Sequence, residues 1–284
     1  MDHWREAFVK QLYRIAVVFL LTISSAQAGM IALIIDDIGY NYATGMKAAR
    51  LDPAVTLSIL PDAPEAERLG RALYAMDREL MLHLPMEAQG REGALEPVVL
   101  NSRMDRLVFQ RAVLVALRKL PWVKGVNNHM GSALTQQAEP MGWLMQVLRA
   151  LDGMYFVDSR TDRRTVAEQV ARRHHLAVTR RDVFLDNGDF TQASVWAELK
   201  RLEKLADRNG FALAIGHPNR VTLAVLKEAI PWLRAQGHTI VRVSQYIKAK
   251  ESSPCPECLS PSLKLVKNSK QSPSSTCCGE PLLR

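Results

Sequence analysis

Short apolar runs that end in a carboxylate or an imidazole recur along this chain. The first, Ile31 to Ile35, leads directly into two adjacent carboxylates. Continuous apolar runs of this kind are typical of parallel strands that are buried on both faces. In (β/α) barrels the reactive groups lie at the carboxyl ends of such strands. We therefore expect one polar site, built from the residues that end six of these runs: Asp36 and Asp37, His83, His129, Asp158, Asp186 and His217.

Helix-like segments separate the strand-like runs between residues 29 and 248. This alternation predicts an α/β fold, a distorted (β/α) barrel of about seven to eight parallel strands, with an open doubly wound sheet as the alternative. Strand candidates begin near residues 30, 54, 79, 125, 154, 182, 211 and 239. There are three helix candidates. The first runs from Met104 to Leu120 and is capped by Ser102, the second follows the cap Thr191 and runs to Arg208, and the third follows the cap Thr222 and runs to Gln236.

Charge and motif content argue against two classes of function. The formal net charge of +8 is spread along the chain, without a dense block of Lys and Arg interleaved with aromatic residues. We interpret this as a solvated basic surface and expect no nucleic-acid partner. No G-x-G-x-x-G or Walker A pattern follows the first strand candidate, which argues against a nucleotide-binding site.

Residues 1–28 have the three regions of a secretory signal peptide. Basic residues flank an apolar stretch from Ile15 to Ile23, and Ala26-Gln-Ala28 is an A-x-A cleavage pattern. The apolar stretch is short for a membrane span, and an uncleaved anchor is the alternative. We expect cleavage before Gly29, a periplasmic or secreted mature protein, and no stable membrane span after cleavage.

Residues 249–284 are rich in Ser, Pro and Lys and lack a periodic apolar pattern. Such a segment buries too little apolar surface to offset the entropy of ordering, so we expect a disordered tail. All four cysteines lie in it, which excludes a disulfide framework or a cysteine nucleophile in the domain at 29–248. Two of the four, Cys277 and Cys278, are adjacent and suit a tetrahedral metal site poorly.

Two adjacent carboxylates at a strand end repel each other unless a cation lies beside them. Since successive side chains of a strand point in opposite directions, the turn after the strand must let both Asp36 and Asp37 face the site. One carboxylate can then bind a metal while the other remains free as a base. With imidazoles from other strands, an Asp plus two His site results. Three protein ligands with an open position for water are the arrangement of catalytic zinc.

The same residues also have structural interpretations. Asp36 could cap a helix, a buried histidine could be hydrogen-bonded in the core, and Asn127 could simply turn the chain. Asp158 and Asp186 are expected to be structural or to support the ligands, because a ligating imidazole needs a partner for its second nitrogen. The residues expected to bind substrate or to support the ligands are Glu87, Asn128, Asp158, Arg160, Asp186 and Asn187.

Several strings resemble the NodB-homology polysaccharide deacetylases, in particular a divergent branch of bacterial secreted proteins. The resemblance covers about Met30 to Tyr246. Leu33-Ile-Ile-Asp-Asp37 resembles the first motif of the family, in which one Asp is the base and the next binds the metal. Ile215-Gly-His217 resembles the last motif, whose His is the general acid. Strings typical of the divergent branch are His83-Leu-Pro-Met-Glu87, Asn127-Asn-His-Met-Gly-Ser132, Phe156-Val-Asp-Ser-Arg-Thr161 and Asp182-Val-Phe-Leu-Asp-Asn187.

The chain departs from the family pattern at one expected ligand. Glu87 stands where the family has the second His of a His-x-x-x-His pair, and an Arg-x-Pro motif is not visible. His129, at another strand end, is the other source of an imidazole, and the sequence leaves the choice open. The resemblance implies that zinc or a similar divalent cation binds Asp37 and His83, with Asp36 as base and His217 as acid. The leading hypothesis takes His129 as the third ligand.

The leading hypothesis is a periplasmic metal-dependent hydrolase that removes acyl groups, most simply N-acetyl, from an amino-sugar polysaccharide. Its expected partner is a glycan of the peptidoglycan or exopolysaccharide kind. One alternative, motivated by Glu87, is a glycan-binding or envelope-assembly module without turnover. Another is a metal-dependent phosphoesterase, since Asp/His clusters serve both chemistries. It is disfavoured because no Arg or Lys clamp is evident near the strand ends apart from Arg160.

Overall fold

The computed structural model describes residues 29–90 and 99–253. The predicted signal peptide and the four cysteines of the tail lie outside these residues. The last helix continues to Ser252, beyond the predicted domain boundary at residue 248. None of the helices in the described ranges is long and apolar enough to cross a membrane.

Strands and helices alternate along the described chain. The strands are β1 (Met30–Ile38), β2 (Thr56–Ile59), β3 (Leu80–Met86), β4 (Gly125–Met130), β5 (Tyr155–Asp158), β6 (Ala177–Arg180), β7 (Val183–Phe184), β8 (Phe211–Gly216) and β9 (Thr239–Val241). The α-helices are α1 (Tyr42–Ala49), α2 (Ala66–Ala75), α3 (Arg106–Lys119), α4 (Ala138–Arg149), α5 (Ala167–Arg173), α6 (Gln192–Asn209), α7 (Arg220–Ala235) and α8 (Val243–Ser252).

All described strand pairs are parallel and belong to one 9-stranded sheet. The strand order is β6-β5-β4-β3-β2-β1-β8-β7, and β9 also pairs with β1. The central strand β1 is in register with both neighbours, so that Ile34 lies opposite Thr56 of β2 and Ile215 of β8. The prediction of a distorted parallel (β/α) barrel is therefore confirmed, and the alternative of an open doubly wound sheet is not.

The chain crosses from one edge of this sheet to the other in two residues. Strands β6 and β7 occupy opposite ends of the strand order, although only Arg181 and Asp182 separate them. Because consecutive Cα atoms are about 3.8 Å apart, this connection requires the sheet to curl nearly into a ring. The backbone N–H of Arg181 donates to the carbonyl of Asp158, and that of Asp182 donates to the carbonyl of Leu213, both at 2.9 Å. These two residues form a seam at which the barrel closes.

Two apolar layers stabilise the barrel. The outer layer lies between the sheet and its helices and includes Ile31, Leu33 and Ile35 of β1. Alternate residues of β1 point inward, because strand side chains alternate between faces. The inner cluster combines such residues with three residues of α8: Ala32, Ile34, Met81, Tyr155, Val157, Leu213, Ile215, Val243, Tyr246 and Ile247. Burial of these side chains on both faces explains the continuous apolar runs in the sequence.

Helix α8 closes the end of the barrel at which the strands begin. The buried Glu79 carboxylate, just before β3, accepts hydrogen bonds from the Ser244 backbone N–H (3.1 Å), the Thr56 hydroxyl (3.1 Å) and the Tyr155 hydroxyl (3.0 Å). A carboxylate at a helix amino terminus also interacts favourably with the helix dipole. The opposite end, where the strands finish, is left for the polar residues.

Two of the three predicted helix caps are wrong. Helix α3 begins after Asp105, whose side chain accepts from Val108 N–H, rather than after Ser102. Helix α7 begins after Asn219, and Thr222 lies inside its first turn. The cap at Thr191 is confirmed, with a capping box. Ser, Thr, Asp and Asn all serve as N-caps, so clustered candidates cannot be separated by residue type alone.

Candidate metal centre

The end of β1 places both adjacent carboxylates at the mouth of the barrel. Asp36 continues the inward-facing row of the strand and is only 3% exposed. Asp37 has φ +54°, in the left-handed region, and the pairing register shifts between Ile35 and Ile38. A residue other than glycine in this conformation costs on the order of 1–3 kcal/mol and is often found at functional sites. Both carboxylates face the site as predicted, but through an irregularity inside β1, which continues to Ile38, rather than through a turn after the strand.

Three side-chain atoms from three strands meet beside Asp36. Asp37 Oδ1 lies 3.1 Å from His83 Nε2 and 3.1 Å from His129 Nδ1. The two imidazole nitrogens are themselves 3.1 Å apart. Among the described residues, this is the group of His, Asp and Glu side chains whose spacing suits a metal ion. The structure thus brings together the predicted ligands Asp37, His83 and His129.

Asn127 sets the orientation of His83. Its Oδ1 lies 2.8 Å from His83 Nδ1 and accepts from the Ser58 hydroxyl at 2.6 Å. Its Nδ2 donates to Asp36 Oδ1 at 2.8 Å. Because the amide oxygen is an acceptor, His83 Nδ1 carries a proton and the lone pair of a neutral ring is on Nε2. A hydrogen bond at the second nitrogen is what orients most histidines that bind metals.

The geometry of the three atoms fits a cation. Asp37 Oδ1 is buried, and within the described residues none of its contacts has hydrogen-bond geometry. The oxygen instead faces two imidazole nitrogens at 3.1 Å, so that all three atoms point at one position between them. Ligands placed 2.0–2.2 Å from a tetrahedral ion stand about 3.3–3.6 Å apart. The three atoms need to separate by only a few tenths of an ångström to reach that spacing.

The two carboxylates differ in their affinity for protons. Burial raises the pKa of Asp36, and the nearby His83 only partly opposes this effect. Burial also acts to raise the pKa of Asp37, but contacts with His129 and His83 overcome it and hold that pKa well below its ordinary value. Neighbouring carboxylates with divergent pKa values can take separate roles. Asp37 is suited to remain an anionic ligand, and Asp36 is suited to accept a proton.

His217 follows β8 and faces the same site. Its Nδ1 lies 2.9 Å from Asp186 Oδ1, and its Nε2 lies 3.7 Å from Asp37 Oδ2. Asp186 also accepts from Asn219 Nδ2 (2.9 Å) and from the Thr222 hydroxyl (2.8 Å). Burial acts to lower the pKa of His217, but the Asp186 carboxylate overcomes this and raises it to about 9. His217 is therefore protonated at neutral pH.

Glu87 is not part of this cluster. Its carboxylate accepts from the backbone N–H of Ser102 at 2.8 Å and so ties the end of β3 to the loop before α3. Its backbone N–H and carbonyl are also bonded, to Leu100 and to Ala133 and Leu134. Of the two candidates for the third ligand, the geometry favours His129.

The supporting residues at β4 and β5 shape loops rather than the imidazoles. Asn128 Oδ1 accepts from the Ser159 backbone N–H at 2.8 Å. Asp158 accepts from the Arg160 backbone N–H (2.8 Å) and from the Thr165 hydroxyl (2.9 Å). Asp158 therefore has a structural role, one of the two expected for it, and its contact with Arg160 is to the backbone. Asp186 does hold a histidine, namely His217.

Two observations correct the sequence analysis. The sequence offered a turn in the chain as one interpretation of Asn127, whereas in the structure its side chain connects His83 with Asp36. Its position two residues before His129 was the available signal, because residues two apart share a strand face. The statement that Arg160 is the one arginine near the strand ends is also wrong. Arg163, Arg181 and Arg201 line a cavity with it at the seam, next to the exposed Asn187.

A family model described as divergent polysaccharide deacetylase matches residues 33–247. The chain belongs to the divergent polysaccharide deacetylase family. The resemblance predicted from the motifs of β1, β3 and β8 is thereby confirmed. An Escherichia coli K12 relative, the uncharacterized protein YibQ, is 33% identical over 217 residues, which are 76% of this chain and 67% of YibQ. An uncharacterized protein of Haemophilus influenzae is 30% identical over 211 residues, 74% of each chain.

Solved structures share the fold of this deacetylase-family chain. The uncharacterized protein ATU2773 of Agrobacterium tumefaciens C58 aligns with a TM-score of 0.73 and 24% identity, covering 78% of this chain and 90% of that one. A putative cellobiose-phosphate cleavage protein of Enterococcus faecalis aligns with a TM-score of 0.56 and 12% identity, covering 78% and 99%. At these identities the likenesses concern the fold alone.

Proposed function

We propose that this protein is a metal-dependent hydrolase that removes N-acetyl groups from an amino-sugar polysaccharide in the periplasm or outside the cell. Membership of the divergent polysaccharide deacetylase family supports the reaction class. The observation that carries the proposal is the triangle of Asp37 Oδ1, His83 Nε2 and His129 Nδ1, with sides of 3.1 Å. The A-x-A pattern before Gly29 supports export.

Asp37, His83 and His129 would hold a divalent cation, and a mixed set of one carboxylate and two imidazoles suits zinc. The cation supplies Lewis acidity, which polarises an acyl carbonyl and makes water easier to deprotonate. Asn127 keeps the lone pair of His83 directed at this position and holds Asp36 beside it. Asp36 does not share Asp37's role, since it lies 3.7 Å from His83 Nε2 and is bonded to the amide of Asn127.

Proton transfer is divided between Asp36 and His217. Asp36 has a pKa raised by burial, so its carboxylate is a better base toward the attacking water than an exposed one. His217 is protonated through its pair with Asp186, and its Nε2 faces the mouth of the site. We assign it the proton that the departing amine needs. Because His129 completes the ligand triangle, the glutamate at position 87 no longer argues for a module without turnover.

Acetate release from acetylated amino-sugar oligosaccharides tests this proposal. Zinc-loaded protein should release acetate, and Asp36→Asn should keep the metal while lowering turnover by roughly 10²–10⁴-fold. The matched control is Asp105→Asn, the same chemical change at a helix cap where Asn serves equally well. Equal turnover in Asp36→Asn and the control contradicts the assignment. A protein that binds zinc and glycan but releases no acetate is the binding module instead.

A further inference from the structure

A basic cleft lies at the seam of the barrel. Its cavity of about 290 Å³ is lined by four arginines, two carboxylates, Phe184 and Asn187. The arginines are Arg160, Arg163, Arg181 and Arg201. A second cavity of about 250 Å³ adjoins it and shares Arg160 and Arg163 with it. The two cavities share this wall, and together we call them the seam cleft.

The two carboxylates of the first cavity are already engaged. Glu198 pairs with Arg201 at 3.1 Å, and Asp182 accepts from the backbone N–H of Leu213 at 2.9 Å. Within the described residues, no ion pair involves the side chain of Arg160, Arg163 or Arg181. In the first cavity the arginines outnumber the carboxylates. The second cavity adds Asp158, Glu168 and Arg180, of which Glu168 pairs with Arg180 at 3.3 Å. The cleft therefore keeps an excess of positive charge, which lies mainly in the first cavity.

Arg181 is held in place at the base of this cleft. Its Nε donates to the carbonyl of Ser159 at 2.6 Å, and its Nη2 donates to that of Arg160 at 2.7 Å. Its guanidinium lies 4.6 Å from the ring centroid of Phe184. Burial lowers the pKa of Arg181 and the charges of Arg160 and Arg201 lower it further, while the carboxylates of Asp36 and Asp158 oppose this only in part. A guanidinium fixed by backbone carbonyls is a preorganised anion receptor.

The cleft lies next to the proposed reaction centre. The Phe184 ring stands edge-on to His217, with centroids 5.2 Å apart. The same phenyl ring thus contacts the guanidinium of Arg181 and the imidazole of the proposed acid.

We propose that the seam cleft binds an anionic group, a carboxylate or a phosphate, on the sugar next to the acylated unit, so that the substrate is an acidic glycan. This deepens the proposed function and rests on it for the identity of the reacting unit. Binding of the acidic sugar does not depend on turnover. Two oxygens on one anion match the paired N–H groups of a guanidinium.

Calorimetric titration of the zinc-loaded protein with three oligosaccharides of equal length tests the cleft. One is neutral N-acetylglucosamine, one alternates it with carboxylate-bearing N-acetylmuramic acid, and one carries a phosphate. At least one acidic ligand should bind more tightly than the neutral one, and that preference should weaken as salt rises. Arg163→Gln, which alters both cavities, should lower the affinity for the acidic oligosaccharides by about tenfold and leave the affinity for the neutral one unchanged.

The matched control is Arg164→Gln. Arg164 is adjacent and exposed but pairs with Asp162 rather than lining the cavities. Equal binding of all three ligands, or equal effects of the two substitutions, overturns the proposal. Comparison of the oligosaccharide that carries a carboxylate with the one that carries a phosphate identifies which anion the cleft binds. If acidic oligosaccharides bind in a manner that depends on Arg163 but no acetate is released, the cleft is supported and the hydrolase proposal is refuted. If acetate is released without any preference for acidic oligosaccharides, the hydrolase proposal is supported and the cleft is refuted.

Discussion

Asn127→Leu tests whether the hydrogen bonds behind His83 govern the metal site. Leucine has nearly the shape of asparagine but neither accepts from His83 nor donates to Asp36, contacts that are 2.8 Å long in the structure. His83 then loses the partner that places its lone pair on Nε2. Loss of such a supporting contact typically lowers metal affinity 10–100-fold. This corresponds to about 1.4–2.8 kcal/mol of binding free energy.

The substitution also has a cost in stability. It removes the amide that bonds to the Ser58 hydroxyl and to the Asp36 carboxylate. A buried polar group that loses its hydrogen-bond partner lowers the free energy of unfolding by about 1–3 kcal/mol. Thr222→Val is the matched control, because it removes a buried 2.8 Å hydrogen bond to Asp186 at the same end of the barrel. Both variants should melt at lower temperature than the wild type.

Competition with a chromophoric chelator measures the metal affinity of the three proteins. Asn127→Leu should bind zinc 10–100-fold more weakly than the wild type, while Thr222→Val should bind it with unchanged affinity. Wild-type affinity in a folded Asn127→Leu protein would refute the inference that Asn127 prepares His83 as a ligand. Equal losses in both variants would attribute the effect to general destabilisation.

Three further outcomes are expected. His129→Ala should lose tight zinc binding and Glu87→Ala should keep it, as measured by zinc stoichiometry after dialysis; the opposite result makes Glu87 the ligand. Asp186→Asn removes the carboxylate that raises the pKa of His217 to about 9. The basic limb of the pH profile of acetate release should therefore move to lower pH, and an unmoved limb argues against His217 as the acid. N-terminal sequencing of protein from the envelope fraction should begin at Gly29, and an intact N-terminus on a cytoplasmic species contradicts export.

The barrel and the ligand triangle could be predicted because both follow from a pattern repeated along the chain. Asp37, His83 and His129 each end or lie near the end of an apolar run, and parallel pairing gathers those ends at one mouth. A turn that lets both carboxylates face the site was predicted from their adjacency, whereas the left-handed conformation at Asp37 was not.

Features that depend on partners distant in sequence could not be predicted. The amide of Asn127 has a role only once Ser58 and Asp36 lie beside it, which requires the strand order β4-β3-β2-β1 to be known. Strand β6 is only four residues long and ends in Arg180, so no continuous apolar run marks it. A prediction that lacks β6 also lacks the seam, and it leaves Arg181 as an ordinary surface arginine.

The central claim is that Asp37, His83 and His129 form a metal site, and anomalous diffraction from crystals soaked in micromolar zinc tests it most directly. We predict one strong peak about 2.0–2.2 Å from Asp37 Oδ1, His83 Nε2 and His129 Nδ1. That peak should be missing in His83→Ala crystals. A peak at Glu87 instead, or no peak at the mouth of the barrel in the wild type, would contradict the account.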